Sequence, residues 1–246
     1  MIEKVYKPYI GAGQVYARVK DSAVPLAPIG NVSELKLGIE EESKTLADYT
    51  HGGGGTYAKV SRITGITLTA TLHDLNKTNL ARALYGDGNE VQAGTVTDET
   101  HTAYKGGLLR LAHPSPASVE VKAAEGDTTY TAGTDYEVRP EGVFILPGST
   151  ITDGAQVKVN YSYTAYDLIE TLTRSGVVLE MSFGGVNEAD SGKPVVVDLF
   201  RVSLGAAKEV SLIGDDFASL QLEGNVMVDS TKTGAGESRY MKVSMV

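Results

Sequence analysis

Residues Ile66–Leu72 read ITLTATL, with Ile66, Leu68, Ala70 and Leu72 at alternate positions and Thr67, Thr69 and Thr71 between them. Successive side chains of a strand point to opposite faces, so this spacing places four apolar groups on one side and three hydroxyls on the other. The β-branched residues suit a pleated surface. The stretch predicts a strand in a sheet with one buried and one wet face.

The same period recurs outward in both directions. Gly13–Asp21 sets Val15, Ala17 and Val19 on one face. Val32–Ile39 sets Leu35, Leu37 and Ile39 against Glu34 and Lys36. Val177–Phe183 (VVLEMSF) and Leu220–Val228 (LQLEGNVMV) repeat the pattern. One segment breaks it: Asp74–Gly86 (DLNKTNLARALYG) carries Leu80, Ala81 and Leu84 at helical spacing. Asp74 or Asn76 can cap its start, and Gly86 can take the left-handed conformation at its end. A weaker helical turn is expected over Gly205–Val210.

The middle of the chain reads differently. Short strands are expected at Ser118–Ala123, Thr128–Thr131, Tyr136–Val138, Val143–Leu146 and Val157–Tyr163, separated by turn residues. The stretches Ala93–Lys105 and Thr164–Arg174 look like connectors. Residues 97–172 hold five Lys/Arg against eleven Asp/Glu, a net of −6 within a chain total of −9. This shift marks an insertion. The expected fold is mainly β: an antiparallel β-sandwich or barrel over residues 1–99 and 173–246, with one short flanking α-helix and an inserted small β-rich domain over 100–172.

Composition bounds the function. The 246 residues include no cysteine, which excludes disulfides, thiolate metal sites and a cysteine nucleophile. No apolar run is long enough for a membrane helix, and MIEKVYKPYIGAG lacks the apolar core of a signal peptide, so a soluble protein is expected. An acidic chain is not steered to phosphate backbones, which disfavours direct nucleic-acid binding.

A catalytic reading fails on its motifs. His51 and Gly52–Gly55 form HGGGG, the kind of loop that stabilises an oxyanion in esterases. That loop needs a nucleophile elbow, GxSxG, and the chain has none. No phosphate-binding GxxxxGK[ST] is present either. His51, His73, His101 and His113 are isolated from one another along the chain, without metal-ligand spacing. The acidic run Glu40–Glu42 lacks the Asp-rich, glycine-turned loop that calcium requires. No enzyme activity, cofactor or metal is expected.

The glycines then need a conformational use. Glu40–Arg62 reads as a long loop between two good strands, and loops of that length are usually functional. Its residues Glu40, Glu41, Glu42, Lys44, Tyr49, Gly52, Gly53, Gly54, Gly55, Tyr57, Lys59 and Arg62 make a docking arm, with charges of both signs, two tyrosines and a flexible centre. Such an arm orders by packing on another subunit.

The stretch Gly30–Gly86 has a strand, a long acidic segment with a glycine cluster, a strand and a short helix. Together with Gly214–Thr231 (GDDFASLQLEGNVMVDST), it resembles the major tail tube proteins of long-tailed bacteriophages. The family implies a β-sandwich subunit that closes into hexameric rings, which stack into the tube through which DNA passes. It implies a virion protein made in the host bacterial cytoplasm, working with tape measure, tail tip and terminator proteins. It also implies no specific DNA binding and no membrane insertion. Related folds build contractile tails, bacteriocins and the type VI secretion tube. On this reading Glu34, Lys36, Thr67, Thr69, Thr71, Glu180, Ser182, Gln221 and Glu223 are expected to face the lumen. The arm Met1–Ile10 and the loop Glu40–Arg62 would make subunit contacts. The alternative is a β-sandwich carbohydrate- or host-surface-binding module, with Tyr130, Tyr136, Tyr161 and Tyr163 as its platform.

Overall fold

A computed structural model describes residues 8–246; the expected contacts of Met1–Lys7 lie outside the described residues. The chain runs through β1 (Gly11–Val19), β2 (Ala27–Pro28), β3 (Val32–Ala47), β4 (Thr56–Leu72), α1 (Lys77–Ala83) and β5 (Asp87–Val91). It continues with β6 (Gly94–Ala103), β7 (Leu108–Arg110), β8 (Ala117–Ala123), β9 (Tyr136–Arg139), β10 (Gly142–Ile145) and β11 (Ala155–Tyr163). It ends with β12 (Tyr166–Glu170), β13 (Val178–Asn187), β14 (Lys193–Leu204), β15 (Leu220–Val226) and β16 (Met241–Met245). The protein is mainly β, with antiparallel sheets and one α-helix among the described residues, as the alternation requires.

The chain divides into two compact units, 1–88 with 169–246, and 89–168. In the first unit eight strands form one sheet in the order β2-β1-β13-β14-β15-β4-β3, with β16 pairing the first half of β14. Val15 and Ala17 of β1, Leu179 and Met181 of β13, Leu220 and Leu222 of β15, and Ile66, Leu68, Ala70 and Leu72 of β4 bury one face. Each buried Leu or Val contributes roughly 1.5–3 kcal/mol, so this face outweighs any local strand preference. The helix closes over the same core. Asn76 caps it by accepting from Asn79 N, and the buried Asn79 side chain donates to the carbonyls of Ile29 (2.7 Å) and Asp74 (2.9 Å).

The second unit packs sheet β7-β10-β9 with sheet β6-β11-β8 around Leu111, Val121, Val143, Ile145, Val157 and Val159. Asp135 fastens its turns. Its carboxylate accepts from Thr131 N (2.9 Å), Thr150 N (2.7 Å), Thr150 Oγ1 (2.8 Å) and Ser149 Oγ (3.2 Å). Those backbone donors, the Thr131 amide first, hold it at about 2, below the ordinary 3.8.

Several expectations are corrected. Glu40–Arg62 is not a long loop: β3 and β4 pair on to Ala47↔Thr56, and only residues 48–55 are irregular. With no layer against either face, this ribbon has no alternation to read. The expected connector Ala93–Lys105 contains β6, which pairs along β11, and Thr164–Arg174 contains β12. Thr128–Thr131 contributes one bridge, Lys122↔Thr129. Gly205–Val210 is not helical. At the end of α1, Tyr85 rather than Gly86 takes the left-handed conformation (φ 49°), its hydroxyl donating to Leu204 O at 2.8 Å.

Candidate functional site

The nine residues expected to face a lumen share one face of the large sheet. Thr71 stands between Glu34 and Gln221, and Thr69 between Lys36 and Glu223, while Thr67 faces Gly38 and Asn225. Across the sheet Glu180 pairs with Arg18, and Ser182 with Tyr16 and Asp198. This polar face lies opposite the buried one. Lys36, Gln221 and Glu223 are exposed; Glu34, the three threonines, Glu180 and Ser182 are half-buried.

Charge on this face is largely compensated. Lys36 pairs with Glu34, and Lys208 reaches Glu223 at 2.7 Å. Arg18 donates to Glu180 Oε2 at 2.5 Å, and Ser182 Oγ donates to Asp198 at 2.7 Å. Lys20 is the hub, 2.6 Å from Glu180 Oε1, 3.2 Å from Asp229 Oδ2 and 3.4 Å from Asp21. Its hydrogen bond to Glu180 holds its ammonium above the usual lysine range. Asp229 is buried, and the Thr231 hydroxyl and amide hold it at about 2. For Glu180, burial opposes ionisation, but the bonds from Lys20 and Arg18 win and lower its pKa. No sequence pattern signals this network, because Lys20, Glu180 and Asp229 are far apart along the chain.

The docking-arm residues lie together on the ribbon beyond the sheet. Glu40–Glu42, Lys44, Tyr57, Lys59 and Arg62 are exposed on its two strands, and Tyr49 and Gly52–Gly55 form its tip. Gly53, Gly54 and Gly55 have φ of 136°, 73° and 145°, so the tip needs residues without a Cβ. Asp48 N donates to Gly55 O at 2.9 Å and closes the turn, and the Asp48 carboxylate accepts from Thr50 N and Oγ1. His51 hydrogen-bonds Thr50 there, which gives the HGGGG run a turn-forming use.

The ribbon also exposes Ile39, Leu46, Tyr49, Tyr57, Val60 and Ile63, which periodicity could not flag. A second uncovered apolar segment lies between β14 and β15, where Leu212, Ile213 and Phe217 are 89%, 97% and 98% exposed. The available signal is an apolar SLIGDDF stretch with no strand or helix period.

In the second unit Tyr136 and Tyr161 are buried rather than offered as a platform. Tyr161 donates to Glu99 at 2.6 Å, and burial, with that bond, pushes its hydroxyl up to about 12. Tyr163 stacks on His113 at 3.7 Å between ring centroids. The four histidines each have a different local partner: His51 Thr50, His73 Ser33, His101 Glu99 and His113 Tyr166. Among the described residues no group of His, Asp and Glu is placed to hold a metal ion. No helix among them is long and apolar enough to cross a membrane.

These features define a mainly β protein whose antiparallel sheet has one polar face and continues into an uncovered two-stranded arm. Over residues 8–244 the chain matches the family described as "Protein of unknown function UCP028589", and it belongs to that family. No curated protein matches it.

Proposed function

We propose that this chain is a structural protein that assembles into stacked rings forming a tube, as in the phage tail tube proteins that its sequence resembles. The observation that carries this reading is the arm. Residues 40–47 and 56–64 are exposed on both faces, and an isolated two-stranded ribbon is marginal in water. Packing against another copy supplies the missing layer. The strand β3, 16 residues long, also ends the sheet order, leaving an edge that pairing between subunits would remove.

The polar face supports the same reading. A sheet that buries one side and keeps threonines and compensated charges on the other suits a water-filled channel. On this proposal DNA passes without specific binding, and the ring is hexameric by resemblance. The protein belongs to a virion, with tape measure, tip and terminator proteins as partners; a bacteriocin or secretion tube would use the same fold. The carbohydrate-binding alternative loses its support where Tyr136 and Tyr161 are buried.

Electron microscopy of the purified chain at high concentration tests this. Rings or hollow tubes are expected. Monomers that stay monomeric when an assembly initiator is added would overturn it.

A further inference from the structure

We propose that the exposed loop between β14 and β15 is the receptor for the β3–β4 arm of a second copy of this chain, joining copies head to tail. The proposal rests on the tube reading and names the contact that would drive its growth.

The two apolar projections lie at opposite ends of one sheet. Leu220, which ends the loop, pairs with Leu72 at the last residue of β4; the arm tip lies at its first residue, Thr56. Seventeen strand residues separate those ends, a span of roughly 50 Å at the usual rise per residue. The loop tip is about seven residues from either root, a reach of roughly 25 Å even when extended. The loop root is held closer still. Ala207 N donates to Ala83 O at 2.7 Å, and Ala207 and Val210 pack on the core. The loop therefore cannot reach the outer half of its own arm, and a contact between the two there must join different molecules.

Chemistry matches the two surfaces. The loop tip presents Leu212, Ile213 and Phe217 beside Asp215 and Asp216. The outer half of the arm presents Leu46, Tyr49 and Tyr57 with Lys44 and Lys59. Lys44 lies opposite Val60 and Lys59 opposite Thr45, so neither faces a carboxylate across the ribbon. The one acid at the tip, Asp48, is turned onto Thr50. Successive pairs of the ribbon alternate faces, so Lys44 lies beside Leu46 on one face and Lys59 beside Tyr57 on the other; each face sets a cation next to an apolar group for the apolar, dianionic tip. Because the two surfaces differ and sit at opposite ends, the contact is heterologous and repeats indefinitely, as a growing stack needs.

The natural chain has no cysteine, so introduced thiols are unique. Phe217→Cys and Tyr49→Cys chains are mixed under assembly conditions and oxidised. The expected result is a disulfide-linked dimer of one chain of each kind, absent when either variant is oxidised alone. Phe217→Ala should raise the concentration needed for assembly about 30-fold, the effect of losing one interface hot spot. Asp215→Lys with Asp216→Lys should also block assembly, and adding Lys44→Glu with Lys59→Glu should restore it. Rings or tubes that form without the mixed disulfide, and tolerate Phe217→Ala, overturn this contact while leaving the tube reading intact. A chain that never assembles overturns both.

Discussion

Lys20 Nζ lies 3.2 Å from Asp229 Oδ2, a buried carboxylate oxygen with no hydrogen-bond partner among the described residues. The other oxygen, Oδ1, is satisfied by Thr231 N (3.0 Å) and Oγ1 (2.7 Å). The ammonium is therefore what compensates Oδ2, and it also bridges to Glu180 at 2.6 Å. Lys20→Met would leave that oxygen buried and uncompensated. It should lower the folding equilibrium constant about 100-fold, in keeping with the loss of one partner from a buried pair. Urea denaturation at pH 7 measures this, and a change within about threefold would refute the argument. Lys20→Met combined with Asp229→Asn should recover part of the loss, because the orphaned charge is then gone.

Asp135 links stability to pH in the second unit. Its folded value of about 2 lies below the ordinary 3.8. A depressed carboxylate stabilises the fold above its unfolded value, and the contribution is lost as pH falls through the folded one. The window therefore runs from about pH 4 down to about pH 2. Asp135→Asn removes a charged acceptor from four donors and should cost about 1–3 kcal/mol at pH 7. The gap between wild type and variant should close across that window. Acid denaturation curves of both chains check it; a gap that stays constant from neutral pH to the bottom of the window would contradict the assignment.

How much of this is legible in the sequence depends on what each segment packs against. The strand Ile66–Leu72 is readable because its alternate residues enter the core and the others stay wet, which writes the face into the spacing. The nine polar positions can be picked for the same reason, and the register brings them onto one face. Glu40–Arg62 reads as a loop because neither face of that ribbon is covered, so β pairing leaves no apolar period. Strand β6 reads as a connector because half of its residues are exposed and Ala103 is its one buried residue. The network around Lys20 depends on tertiary contact with Glu180, 160 positions away, which no local pattern encodes.

The glycine tip separates folding from assembly. An added Cβ at Gly53, Gly54 or Gly55 meets nothing within 4 Å, so alanine there is opposed by backbone conformation alone. With positive φ at all three, the cost is roughly 1–3 kcal/mol per residue in the turn. The turn lies beyond the buried face, so opening of the ribbon alone relieves this strain, and replacing all three by alanine should leave the melting of the core unchanged. Tube growth, followed by light scattering and electron microscopy, should be lost. Growth at the normal rate would remove the arm from the assembly.

Thr69→Arg tests the polar face. Thr69 is half-buried between Lys36 on β3 and Glu223 on β15, and its side chain points away from the core that holds Leu68 and Ala70. An arginine can extend over this face without entering the core, and Glu223 offers it a partner where Lys36 repels it. Folding should hold, with a melting temperature within a few degrees of wild type, since surface changes usually stay within about 0.5 kcal/mol. If the face lines a channel, each ring gains one cation per subunit directed at the path of a polyanion. DNA passage should slow through attraction at short range. The measurement is infectivity, or the rate of DNA release, for particles assembled wholly from the T69R chain, with the substitution verified in the tubes themselves. Normal passage through such tubes would place the polar face elsewhere than the lumen.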